Sequence, residues 1–133
     1  MSRSLIQTSN QTSQVVSANG IIGLGSVLRR FGCNCKLSGN AIEVSGEGYY
    51  TISATVSVTP TEAGPVTVAA FNNGVQIPSA IAYGTGTAGD PLTLPIETTI
   101  RQKCNCDDTD ILTFMLIAGA GTVNNISARV VKA

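Results

Sequence analysis

The 133-residue sequence contains no histidine, no tryptophan and few charged side chains. Histidine is the most common general acid–base residue and metal ligand, so its absence argues against catalysis. Charged residues make up 12% of the chain, against a usual share of about 25%. Acidic and basic residues number eight each, so the formal net charge is zero. A neutral, weakly charged chain lacks the attraction that binds nucleic acids. We therefore expect a protein that is not an enzyme and has no nucleic-acid partner.

Long apolar runs are also missing, since no stretch approaches the ~18 consecutive apolar residues of a membrane helix. We expect no membrane insertion. The polar segment from Met1 to Gln14 lacks the apolar core of a secretory signal peptide, so no signal peptide is predicted. Yet hydrophobic residues reach 43%, which is high for a chain of this size and indicates that some apolar surface meets another protein chain. The length fits a single domain spanning residues 1–133, in which residues 1–14 form either a strand or an axial stem.

Helix signals are scarce because 14 glycines and 5 prolines interrupt most of the sequence. Strand signals replace them. The clearest is Tyr49 to Val58, whose residues alternate between apolar and hydroxyl-bearing side chains, as expected of a strand with one buried face. A hairpin is predicted around Asn73-Gly74, because this pair readily adopts the positive φ angles of a tight turn. Counting weaker candidates gives about ten short strands, spaced as in an antiparallel two-sheet sandwich or a barrel.

Two late segments carry most of the remaining apolar residues. The run from Ile111 to Ile117 is apolar on both faces, which predicts a central strand or a strand with one face in a subunit contact. At the end of the chain, Ile126, Ala128 and Val130 alternate with Ser127, Arg129 and Val131, which predicts a paired final strand. The adjacent Arg29 and Arg30 point to opposite faces of any strand, so they form no basic patch; a solvated or interfacial ion pair is the favoured interpretation.

Four cysteines occur in two identical Cys-Asn-Cys tripeptides, with sulfurs at Cys33, Cys35, Cys104 and Cys106. In a strand, residues i and i+2 share a face, so each motif presents two sulfurs together. Disulfides between the motifs are favoured over disulfides within one, and the loop closure would stabilise the fold by about 4 kcal/mol. Reduced thiols, a four-cysteine zinc site and redox catalysis are the alternatives. The one-residue spacer weakens the zinc hypothesis, because structural zinc sites usually space their cysteines more widely.

Three carboxylates, Asp107, Asp108 and Asp110, directly follow the second cysteine motif. Aspartates in such a position most often form a turn by bonding their own backbone. Clustered carboxylates can also bind calcium, although this run lacks the glycine and the distal glutamate of an EF-hand loop. No spacing singles out a catalytic carboxylate pair. Apart from these zinc and calcium alternatives, the sequence predicts no cofactor.

The segment Gly48-Tyr49-Tyr50-Thr51-Ile52-Ser53-Ala54 resembles the G-x-Y-x-[FI] signature of the tumour necrosis factor-like and complement globular-head jelly rolls. The order of Asn73-Gly74-Val75-x-Ile77-Pro78 and the ending Asn125 to Val130 are similar to the trimeric heads of spore-surface collagen-like glycoproteins and phage fibres. The resemblance covers about residues 41–133. The chain differs from those heads because it lacks a collagen stalk and has the paired cysteine motifs.

The resemblance implies an all-β, two-sheet antiparallel jelly-roll sandwich of about ten strands that assembles as a homotrimer. Such heads present a surface to a partner and catalyse nothing. We accordingly expect a structural or adhesive head on a phage particle or a bacterial or spore surface. The alternative is a module whose loops bind a glycan or another cell-surface ligand, assisted by calcium. Residues assigned to the core or to the trimer interface are Tyr50, Ile52, Phe114, Leu116, Ile126 and Val130.

Overall fold

The computed structural model describes residues 4–32, 34–102 and 109–132. These residues form twelve strands and no helix, so none of them belongs to a helix that could cross a membrane. In chain order the strands are β1 (Ser4–Asn10), β2 (Gln14–Val16), β3 (Gly20–Ile21), β4 (Ser26–Phe31), β5 (Cys35–Ser38), β6 (Ala41–Ser45), β7 (Gly48–Pro60), β8 (Gly64–Asn72), β9 (Val75–Gly86), β10 (Leu92–Gln102), β11 (Thr109–Ala118) and β12 (Gly121–Lys132).

The strands form two antiparallel sheets packed face to face. Sheet A has the order β10-β7-β12-β1-β4, and the short β2 also pairs with β12. Sheet B has the order β5-β6-β11-β8-β9, and the short β3 also pairs with β11. Along one side of the sandwich β9 lies against β10, and along the other β4 lies near β5. This arrangement confirms the predicted all-β, two-sheet jelly roll, with twelve strands where about ten were expected.

The alternation along β7 explains how the sandwich forms its core. Tyr50, Ile52, Val56 and Val58 are fully buried between the sheets, and Ala54 nearly so. The intervening Thr and Ser residues lie on the outer face of sheet A, because successive strand residues point to opposite sides. Phe114 and its neighbours on β11 cover the same core from sheet B. The apolar run of β11 fits its position, since this strand lies in the centre of sheet B between β6 and β8.

A tight turn at Asn73-Gly74 connects β8 to β9, as the sequence predicts. Asn73 has φ 53° and Gly74 has φ 84°, the left-handed region that glycine and asparagine tolerate best. The Asn73 side chain also reaches β11, where its Oδ1 accepts a hydrogen bond from the Ile111 N–H at 3.0 Å. The turn is therefore attached to the neighbouring strand as well as to its own hairpin.

The N-terminal segment contributes a strand to the sandwich. β1 lies between β12 and β4 in sheet A and pairs with both of them. Its core-facing residues are Ser4, Ile6 and Thr8, of which only Ile6 is apolar. A local irregularity between Gln7 and Thr8 shifts the register of β1 against β4.

Candidate functional site

The described part of the first cysteine motif, Asn34 and Cys35, lies where β4 leads into β5. Cys35 is a buried free thiol at the start of β5, opposite Val44 of β6. Burial raises the pKa of the Cys35 thiol to about 11, although the positive charges of Arg30 and Lys132 lower it in part. Cys33, Cys104 and Cys106 lie outside the described residues. The disulfide and zinc hypotheses for the four cysteines therefore stay predictions.

The asparagine of this motif connects three parts of the fold. The Ser4 hydroxyl donates to the Asn34 Oδ1 at 2.6 Å, and the Asn34 Nδ2 donates to the Ser45 carbonyl at 2.8 Å. The Ser45 N–H in turn donates to the Asn34 carbonyl. Asn34 thus links the start of β1 to the end of β6. The Cys-Asn-Cys spacing drew attention to the two sulfurs, and no sequence signal predicted this role of Asn34.

The described part of the aspartate cluster has a structural contact. Asp110 is buried at the start of β11, and its Oδ1 accepts a hydrogen bond from the Asn73 Nδ2 at 3.2 Å. Asp107 and Asp108 lie outside the described residues. Among the residues that the structure describes, no three histidine, cysteine or acidic side chains are grouped closely enough to hold a metal ion. Calcium binding by the complete cluster stays a prediction.

The residues assigned to the core or to a trimer interface lie inside the single chain. All six have no exposed surface, so they pack in the core between the sheets: Tyr50, Ile52, Phe114, Leu116, Ile126 and Val130. The Tyr50 hydroxyl lies at 2.9 Å from both the Ser45 and the Gly46 carbonyl oxygens, to which it donates. A trimer contact would have to use their outward-facing neighbours on the same strands.

The outward-facing neighbours on β7 and β12 belong to the outer face of sheet A, which we describe by its rows of cross-strand partners. The first row runs across all five main strands in the order Phe31, Leu5, Val131, Thr51, Thr99. Its first three members are apolar, and Phe31 is 59% exposed. The second row runs in the order Arg29, Gln7, Arg129, Ser53, Glu97. The third row contains only uncharged residues, in the order Ser9, Ser127, Thr55, Pro95.

This face combines features that suit a protein contact. Its first row is largely apolar, its second carries charge at both ends, and its third consists of small hydroxyls and a proline. A shallow groove runs across the second and third rows between Gln7 and Glu97. Beside the first row, the Arg101 guanidinium lies 5.8 Å from the centre of the Tyr49 ring, within the range of a cation–π contact.

The edge strand β4 is unusual because all six of its residues are exposed. Val27, Leu28 and Phe31 are apolar, and together they leave a hydrophobic strip along one edge of sheet A. Unpaired edges with exposed apolar side chains favour association with another chain. Arg30 points away from the outer face. On the other side of the strand its Nε donates to the Cys35 carbonyl at 2.8 Å.

Most of this face is not apparent from the sequence. The alternation of the last strand does put Arg129 and Val131 on the side opposite its core residues, which is their position in the structure. Nothing in the sequence identifies Leu5, Phe31 and Glu97 as members of one surface. Cross-strand pairing brings them together, and no local sequence signal reports it.

No protein-family model matches the chain, and no curated protein matches it either. Solved structures do match. Murine APRIL at pH 5.0 superposes with a TM-score of 0.76 at 11% identity, covering 99% of this chain and 100% of that one. The globular domain of the zebrafish complement 1qA protein gives a TM-score of 0.71 at 7% identity, covering 94% of each chain.

A phage protein has the same fold. The PRD1 vertex protein P5 superposes with a TM-score of 0.64 at 15% identity, covering 97% of this chain and 96% of that one. These likenesses confirm the fold that the Tyr50 motif predicts: the chain has a jelly-roll fold similar to that of the tumour necrosis factor-like and complement globular-head proteins.

Proposed function

We propose that this jelly roll is a non-enzymatic head domain that assembles as a homotrimer and presents its outer surface to a partner. The outer face of sheet A is the observation that carries the proposal. It exposes Phe31 beside Leu5 and Val131 at one end and small uncharged side chains at the other. The resemblance of the Tyr50 segment to trimeric heads supplies the number of copies.

Physical reasoning supports association independently of the resemblance. The core residues of sheet A are already buried, so further apolar burial by this sheet must use its outer face and the β4 edge. Burying a side chain such as Phe31 contributes roughly 1.5–3 kcal/mol. A closed ring of three copies would also cover sheet edges that otherwise favour open-ended association.

We place the head on a phage particle or on the surface of a bacterial cell or spore. The likeness to the PRD1 vertex protein P5 supports such a location. The low charge of the chain is compatible with close packing, because three copies of a neutral surface can approach one axis without strong repulsion.

Size-exclusion chromatography with light scattering tests the assembly. We expect a mass about three times the chain mass of 13.7 kDa at micromolar concentration. A mass near that of one chain would contradict the homotrimer.

Antibody labelling tests the location. Antibodies raised against the purified protein should label intact phage particles, cells or spores of the source. Labelling that appears only after the particles or cells are broken open would contradict a surface role.

A further inference from the structure

Opposite charges lie at the two ends of one row on the outer face of sheet A. Arg29 is on the edge strand β4, and Glu97 is on the opposite edge strand β10. Successive pairings of Arg29 with Gln7, Gln7 with Arg129, Arg129 with Ser53 and Ser53 with Glu97 place both in the second row. Both side chains are exposed.

These two charges cannot meet within one chain. Four inter-strand spacings separate β4 from β10, which amounts to about 19 Å. Within the part of the chain that the structure describes, neither Arg29 nor Glu97 has a hydrogen bond or ion pair through its side chain. Each edge therefore carries a charge that is available to another molecule.

A ring of identical copies can bring such edges together. In a cyclic trimer every contact is head-to-tail, so one patch on a copy meets a different patch on the next copy. Rotation about the threefold axis leaves the height of every residue along that axis unchanged. If the axis runs along the strands, residues of one row lie at one height, and the Glu97 edge of one copy reaches the Arg29 edge of the next at the same level.

We propose that in the trimer the Glu97 carboxylate of each copy pairs with the Arg29 guanidinium of the next copy. This inference rests on the proposed homotrimer and adds the residues that set the order and orientation of its copies. Complementary charges at an interface mainly fix which surfaces meet, and like charges placed together oppose the contact. The partner of the charged edge is therefore a second copy of this chain.

Other arginines fit this role less well. Arg129 is in the same row but only two strands from Glu97, so it can approach Glu97 within its own chain. Arg30 faces the other way and is held by the Cys35 carbonyl. Among the arginines that the structure describes, Arg29 alone combines an edge position, the outward direction and exposure with the same row as Glu97.

Charge reversal at each position tests the pairing. The single variants Glu97→Arg and Arg29→Glu each place like charges at all three contacts, so each should raise the concentration of half-dissociation by about tenfold or more. The double variant Glu97→Arg/Arg29→Glu restores opposite charges and should assemble as the unmodified protein does. Light scattering over a dilution series measures dissociation. Circular dichroism of each variant reports whether the sandwich has formed.

Mixing the two single variants gives a result that depends on the number of copies in the ring. A contact between different variants joins opposite charges, whereas a contact between identical variants joins like charges. A ring of three always contains at least one contact between identical variants. The mixture should therefore assemble more tightly than either single variant but less tightly than the double variant. A ring with an even number of copies would show full recovery on mixing.

The outcomes separate this inference from the proposed function. If the unmodified protein is a trimer but folded single variants assemble normally, the pairing is wrong and the trimer stands. The pairing is also wrong if Arg129→Glu, and not Arg29→Glu, rescues Glu97→Arg. If the unmodified protein is monomeric, the proposed function itself fails.

Discussion

At the scale of single residues, Tyr50 has both an apolar and a polar role. Its ring is fully buried in the core, and its hydroxyl donates to the carbonyl oxygens of Ser45 and Gly46. The hydroxyl thus holds the turn between β6 and β7 against the end of the core. This contact gives a physical reason for a tyrosine, and not a phenylalanine, at the third position of the Gly48–Ala54 motif.

Tyr50→Phe should lower the free energy of unfolding by about 1–2 kcal/mol, because it removes the hydrogen bond and leaves partly buried carbonyls without this donor. Urea denaturation at a fixed protein concentration measures the loss. Tyr49→Phe is the matched control, since Tyr49 is 55% exposed, and its change should stay within about 0.5 kcal/mol. Equal losses in the two variants would contradict the role assigned to the Tyr50 hydroxyl.

Cys35 should make stability depend on alkaline pH. In the unfolded chain a thiol loses its proton near pH 9, whereas burial raises the pKa of the Cys35 thiol to about 11 in the folded protein. The stabilisation is therefore complete below pH 9 and is lost as the pH rises through about 11. Measured unfolding free energies should fall across this window more steeply for the unmodified protein than for Cys35→Ala. Identical pH dependences of the unfolding free energy in the two proteins would show that the Cys35 thiol does not contribute to this loss of stability.

At the scale of elements, the β8–β9 hairpin depends on one asparagine. Asn73 adopts a positive φ, accepts a hydrogen bond from the Ile111 N–H and donates one to Asp110. Asn73→Ala removes both side-chain bonds and disfavours the left-handed backbone.

We expect Asn73→Ala to lower the free energy of unfolding by about 1–3 kcal/mol. Chemical denaturation measures the change, with Val75→Thr as the control in the same hairpin, because Val75 is 70% exposed. Retention of full stability in Asn73→Ala would mean that the turn does not need its attachment to β11.

The faces of strands with regular alternation were predictable from sequence, and those of β1 and β4 were not. In β7 every core position is apolar, so the sequence places both of its faces correctly. In β1 two of the three core positions are Ser4 and Thr8, so the apolar signal is too weak to define a strand. In β4 the apolar residues are exposed, and their presence therefore gives no information about which side faces the core.

At the scale of the whole molecule, assembly should depend on the first row of the outer face. Phe31→Ser removes an exposed ring that the proposed trimer would bury. The trimer should dissociate at a concentration about tenfold higher or more, while the circular dichroism spectrum stays unchanged. Ile111→Ser is the control, since Ile111 is also partly exposed but lies on β11 in the other sheet. Light scattering over a dilution series compares them, and equal effects would contradict the assignment of the contact to sheet A.

The all-β class, the hairpin at Asn73-Gly74 and the core faces of the long strands follow from the amino-acid sequence alone, because turn chemistry and alternation are local properties of the chain. The opposite directions of Arg29 and Arg30 follow from it as well. The positions of Arg29 and Glu97 at opposite ends of one row, and of Phe31 beside Leu5, arise only when the chain folds. Strand order and register arise from pairings between distant segments, so the surface they create cannot be read from neighbouring residues. The candidate core residues were predictable because burial follows the periodicity of a single strand. The contact face was not predictable because it is assembled from five strands.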